Sequence, residues 1–174
     1  MKDALAIHRW LLAHQVHHEI VRLPRPMTCA DELPETLPAA PERCLMVTVF
    51  EVATRVGGEA VVAVASSVAN PPRPGAVGGL LGARQVRPAP AHVVNAATDY
   101  ADGLVCPLLL PESLPMLIDD RLRADTDAVF TATGERHTAL SIRALDLLTL
   151  LPGKMVDLRS PRPRGSREAV AGRH

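Results

Sequence analysis

The stretch "CLMVTVFEVATRVGGEAVVAVASS", Cys44–Ser67, decides the fold. Its first half, "CLMVTVFEV", is apolar at odd and even positions alike, and "GEAVVAVASS" repeats the pattern. Short β-branched runs without polar alternation mark strands covered on both faces. "RVGG" between them supplies the turn. A central hairpin buried on both sides is therefore expected, and the rest of the chain must cover two faces.

Outward from the hairpin, helices and strands mix without a regular strand–helix–strand rhythm. "DALAIHRWLLAHQ" predicts a helix with Ala4, Ile7, Leu11 and His14 on one face and Trp10 beside them; "HHEIVRL" predicts a short strand. In "TCADELPETL", Thr28 is the expected N-cap, with Asp31 three residues on and a break near Pro34. "PRPGAVGGLLGA" predicts a helix weakened by glycine, "RQVRPA" a strand and "APAHVVNAAT" a helix. Beyond residue 120, "AVFTATGERHTALSI" predicts a hairpin turning at Gly134–Glu135, "RALDLLTLL" a helix stopped by Pro152–Gly153, and "KMVDL" a last strand. The expected class is mixed α/β or α+β, one domain with a curved mixed sheet and flanking helices, and not a doubly wound nucleotide fold.

Composition narrows the function classes. The chain has 174 residues, 47% hydrophobic but only 2% aromatic, so Val, Leu, Ile and Ala must build its core. Residues 159–174 hold five arginines against Glu168, net +4, which leaves residues 1–158 at −4. The body therefore lacks a broad basic footprint for nucleic acid, and a basic tail, expected to be disordered, follows it. Cys29, Cys44 and Cys106 are odd in number and widely spaced, against a disulfide framework or zinc knuckle and in favour of a reducing compartment. No signal-like segment and no run of membrane-spanning length occurs, so a cytoplasmic location without membrane partners is expected.

Side chains for catalysis are hard to find. His8, His14, His17 and His18 crowd the N-terminus without converging carboxylates or thiols, so exposed histidines are expected there and no metal site. Ser66, Ser67, Ser113, Ser141 and the cysteines lack a nucleophile elbow or a His–Asp context. Cys106 is the best placed of them, yet an apolar setting suits a small buried hydrophobe. "VGG" at 56–58 and "VGGLLGA" at 77–83 lack the lysine or the strand context of a phosphate loop. What remains is "GLVCPLLLPESLPMLIDD", Gly103–Asp120. One reading is a strand with a bulge and an edge proline. The other is a rigid irregular segment whose outward N–H groups suit an oxyanion or carbonyl oxygen.

The segments "RCLMVTV", "TDYADGLVCP", "LPMLIDD", "TGERHTALSI" and "DLLTLL" resemble, in order and spacing, the YbaK-type family, free-standing relatives of the editing domain inserted in bacterial prolyl-tRNA synthetases. The resemblance covers residues 3–158 and is most specific at Thr98–Asp120. It implies an editing domain over 1–158 with a strongly curved, barrel-like mixed sheet and a small pocket. It implies hydrolysis of the ester joining a wrong amino acid to the 3′ end of a tRNA, assisted by a substrate hydroxyl and needing no cofactor. Gly103, Leu104, Val105, Cys106 and Pro107 align with the family's carbonyl-polarising loop. Arg43, Leu45, Val47, Tyr100 and His137 fall around the substrate, with Leu104 and Cys106 narrowing a pocket for a small amino acid such as alanine or cysteine. Arg43 stands where the family usually has lysine. It either anchors the acceptor end or switches the site off, leaving a binding module for an aminoacyl end or small ligand. A scaffold without activity is the third reading. The implied partners are the tRNA acceptor end and a synthetase that delivers it; the oligomeric state is not legible.

Overall fold

A computed structural model describes residues 1–159 of the chain, so most of the expected basic tail, 160–174, lies outside the described residues. In order come helix α1 (Ala4–Ala13), strand β1 (His18–Arg22), a 3-10 turn (Ala30–Glu32), the one-turn helix α2 (Leu33–Thr36) and a second 3-10 turn (Pro41–Arg43). The central strands β2 (Cys44–Ala53) and β3 (Glu59–Ser67) follow, then α3 (Pro74–Leu81), β4 (Gln85–Pro88), α4 (Ala91–Thr98) and β5 (Met116–Asp119). β6 (Ala128–Ala132), β7 (Thr138–Arg143), α5 (Ala144–Leu150) and β8 (Lys154–Val156) complete the described chain.

All eight strands form one mixed sheet in the order β1-β7-β6-β2-β3-β5-β8, with β4 alongside β2. The expected hairpin is its centre, nine antiparallel pairs from Leu45↔Ser67 to Ala53↔Glu59. The other edge of β2 is divided. β6 runs parallel to it at Cys44 and Leu45, and β4 antiparallel at Phe50–Ala53. β3 takes β5 in parallel, and β5 takes β8.

The double-sided apolar pattern of β2 and β3 has a physical counterpart on each face. Leu45, Val49 and Ala65 face a core built with Ile7 and Leu11 of α1, Val94 of α4, Ala144 and Leu147 of α5, and Tyr100, Val105, Cys106 and Leu108. The opposite face is covered in two patches. Cys44, Ala132 and Ala139 lie under Leu23, Met27, Ala30, Leu33 and Leu37, and Phe50, Val52, Val62 and Val64 lie with Val77 of α3.

Three local expectations are corrected. Thr28 pairs with Glu32, not Asp31: its N–H and hydroxyl donate to the two Glu32 carboxylate oxygens at 2.9 and 3.0 Å. Pro34 does not break this segment but sits in the first turn of α2, where its missing N–H needs no partner. His14 leaves the buried face of α1. It ends the helix, exposed, with its ring 4.1 Å from that of Trp10.

Candidate functional site

The segment 103–107 is neither bulged strand nor free loop. It runs irregularly between α4 and β5, outside the sheet, and Leu104 to Leu108 are all buried. Gly103 has φ +81°, and a Cβ there would stand 2.7 Å from the Thr28 carbonyl oxygen. Glycine is therefore required twice, for the left-handed backbone and for the close approach. Three hydrogen bonds hold the segment: Ala30 N–H to the Gly103 carbonyl, Gly134 N–H to the Leu104 carbonyl, and Tyr100 hydroxyl to the Leu108 carbonyl, at 2.8, 2.8 and 2.7 Å. The Leu104 N–H is spent on the Ala101 carbonyl. Among the described residues, the Val105 and Cys106 N–H groups have no main-chain acceptor. Leu109, just past the proline, is a non-glycine residue at φ +62°, a conformation that persists only where surrounding contacts dictate it.

A cavity of about 550 Å³ opens on the same core, and none of residues 103–107 lines it. Its floor is apolar, with Leu45, Leu122, Val129, Ala144, Leu147 and Leu148; its rim is charged, with Glu42, Arg43, Asp120, Arg121, Arg123 and Arg159. Leu45 and Val129 line the cavity and belong to the same core cluster as Val105 and Cys106. Thr131, two residues beyond Val129 on β6, has a fully buried hydroxyl with no partner among the described residues. The Arg43 guanidinium grips Asp125 with both terminal nitrogens at 2.7 Å and reaches Asp127 at 3.0 Å. Those bonds hold the Asp125 carboxyl below its ordinary range and raise the pKa of Arg43. The acidic turn is itself fixed, since its 125 and 127 carbonyls accept the Leu145 and Ala144 N–H groups at the start of α5.

A family model described as the aminoacyl-tRNA editing domain matches residues 25–150, which span all of this geometry. The chain belongs to the aminoacyl-tRNA editing domain family. Solved structures repeat the fold. A putative trans-editing enzyme for prolyl tRNA synthetase matches with TM-score 0.67 at 24% identity over 83% of this chain and 87% of that one. The hypothetical protein APE2540 matches with TM-score 0.70 at 22% identity over 87% and 97%. A scaffold used for epitope backbone grafting matches with TM-score 0.71 at 21% identity over 90% and 96%. No curated protein matches the chain in sequence. Among the described residues, no helix is long and apolar enough to cross a membrane, and no group of three or more His, Cys, Asp or Glu could hold a metal.

The residues expected in this editing domain's site divide into three groups. Arg43 and Leu45 line the cavity. Val105, Cys106, Tyr100 and Val47 pack in the core beneath it; Cys106 and Tyr100 are wholly inaccessible, and burial pushes the Cys106 thiol up to about 12. A neutral thiol without solvent is no nucleophile at neutral pH. Leu104 does not narrow the cavity, because its side chain turns to the opposite core and packs with the Leu23–Leu37 segment. His137 is exposed in the β6–β7 turn and does not line the cavity; its carbonyl accepts the Leu23 N–H.

Several rim residues escaped the sequence reading. Asp119, only 1% exposed, is gripped by Arg121, which also reaches Asn70; Asn70 in turn donates to the Ser67 hydroxyl at 3.3 Å. Arg121, Arg123, Asp125 and Asp127 all fall in "DDRLRADTD", 119–127. The signal was the alternation of acids and arginines straight after a buried strand.

Proposed function

We propose that the chain is a trans-acting aminoacyl-tRNA deacylase, which hydrolyses the ester of a small amino acid, alanine or cysteine, on a mischarged tRNA such as that for proline. The observation carrying this reading is the stitched 103–107 segment with two main-chain N–H groups free of backbone acceptors. Preorganised amides of this kind stabilise the oxyanion that forms as water attacks an ester carbonyl, and they need no side-chain nucleophile. Gly103 permits the close backbone approach, and Pro107 limits the segment's conformations without adding a donor. The apolar floor suits an apolar side chain of the amino acid. Water would be activated with help from a substrate hydroxyl, consistent with the absence of a buried His–carboxylate pair among the described residues. The tRNA acceptor end is the expected partner, with a synthetase delivering it and the basic tail adding phosphate contacts.

The clamp on Arg43 favours a second reading, a binding module that holds an aminoacyl end without turnover. A guanidinium committed to two carboxylates has less freedom than a lysine ammonium to follow a reacting group. A deacylation assay on a panel of mischarged tRNAs decides between them. Hydrolysis by the wild-type chain that Gly103→Val abolishes supports the enzyme. Binding without hydrolysis, together with activity gained on Arg43→Lys, supports the module.

A further inference from the structure

We propose that Arg121 and Arg123 form an anion subsite at the cavity mouth, and that they take the phosphate of the terminal nucleotide in place of Arg43. The proposal rests on the deacylase reading above and names what would hold the acceptor end.

Asp119 ends β5 almost without solvent, and a buried carboxylate must be paired. Arg121 folds back to pair it. Nε lies 3.0 and 3.1 Å from the two carboxylate oxygens, Nη2 lies 2.7 Å from one of them, and the Arg121 main-chain N–H adds a bond of 2.9 Å. Nη1 donates to the Asn70 amide oxygen at 3.1 Å. These contacts hold the guanidinium rigidly and raise its pKa, chiefly through the Asp119 hydrogen bonds, so it stays charged. They do not exhaust it. A guanidinium has about five N–H donors; one on each terminal nitrogen of Arg121 remains without a protein partner among the described residues. Those donors belong to a side chain that lines the cavity and is already ordered, so a ligand there meets little further ordering cost.

The other rim cations are less suitable. Arg43 spends three of its four terminal N–H groups on Asp125 and Asp127, which leaves it one terminal donor for a ligand. Arg159 is held by Asp120 and Asp157. Arg123 is exposed, lines the same cavity and makes no hydrogen bond or ion pair among the described residues, although its charge acts on Asp125. Arg121 and Arg123 thus combine a fixed donor pair with an exposed cation above an apolar floor, a match for a nucleoside bearing a phosphate.

The test is calorimetric titration of the full chain with AMP, adenosine and inorganic phosphate. The wild type should bind AMP at least about ten-fold more tightly than adenosine at low salt. That preference should shrink as salt rises. Arg123→Ala should remove part of it and Arg121→Lys more, with adenosine affinity unchanged in both. Lysine keeps a cation beside Asp119, and Arg123 is exposed and makes no hydrogen bond among the described residues, so Arg123→Ala remains informative even where Arg121→Lys folds poorly. Equal affinity for AMP and adenosine, no binding of either, or a preference untouched by both variants overturns the subsite. Inorganic phosphate binding as tightly as AMP overturns the nucleotide assignment. Deacylation without a phosphate preference sinks the subsite alone; a phosphate preference without deacylation of any mischarged tRNA sinks the deacylase reading alone.

Discussion

Two regions of the molecule, the 103–107 segment and the charged cavity rim, are built in opposite ways. The 103–107 segment holds its geometry with main chain: carbonyls bonded by Ala30, Gly134 and Tyr100, a glycine pressed on the Thr28 carbonyl, and side chains buried in two different cores. The rim holds its geometry with charge: Arg43 on Asp125 and Asp127, Arg121 on Asp119, Arg159 on Asp120 and Asp157. Main-chain stitching in a core is rigid and insensitive to salt. Ion pairs at the surface are individually weak, screened and open to exchange with a ligand's charges. The segment is thus a fixed mould of main chain, and the rim an adjustable set of charges.

The largest effect should come from breaking the mould. Gly103→Val forces a side chain onto the Thr28 carbonyl at a positive φ, and should lower stability by about 3 kcal/mol or more, read by denaturant unfolding, and abolish hydrolysis. A variant with unchanged stability and full activity would deny the segment its role. Arg43→Lys should cost about 1 kcal/mol or less, because it loses only a partly exposed fork, while its hydrolysis assay separates enzyme from module.

Cys106 sharpens the contrast from within the core. Cys106→Ser should keep hydrolysis, and thiol-alkylating reagents should leave Cys106 of the native chain unmodified at pH 8, whereas the half-buried Cys29 is open to them; loss of turnover in the serine variant would restore covalent catalysis. Because burial raises this thiol from 9.0 to about 12, the unfolded chain ionises first, so the stability it contributes is complete below pH 9.0 and drains away as pH rises towards 12. At the rim the sign reverses. The folded pKa of Asp125 lies below 3.8, so its contribution is present above that value and is lost as pH falls through the lower folded one. Being solvent-accessible, this pair should yield only a small change in an acid titration of stability. Smallest of all, truncation at residue 159 should leave stability unaltered while slightly weakening tRNA binding and flattening its salt dependence; an unchanged salt slope would remove the tail from recognition.

The hairpin was legible because nine paired residues carry their own pattern: alternate positions of β2 and β3 are apolar on both faces whatever the rest of the chain does. Gly103 and Pro107 were legible as an odd couple whose spacing matters, and Gly103 indeed lies where no side chain fits. The destination of Leu104 was not. Whether a buried leucine points to one core or the other depends on a backbone twist set by Thr28 and Gly134, both far along the chain. The clamp on Arg43 was likewise hidden, since Asp125 lies 82 residues away and no local periodicity links the two. Read alone, Arg43 was either an anchor for the acceptor end or a residue that switches the site off; in the fold it is clamped by two carboxylates.

By itself the sequence determined the central hairpin, the mixed class and the special backbone at Gly103, because each follows from short-range sterics and the burial pattern of neighbouring residues. Only the tertiary structure decided which arginine is spent and which still has donors to offer. Ion pairing depends on distances between side chains that the fold alone brings together, and chemically identical guanidinium groups become different tools once their carboxylate neighbours are counted.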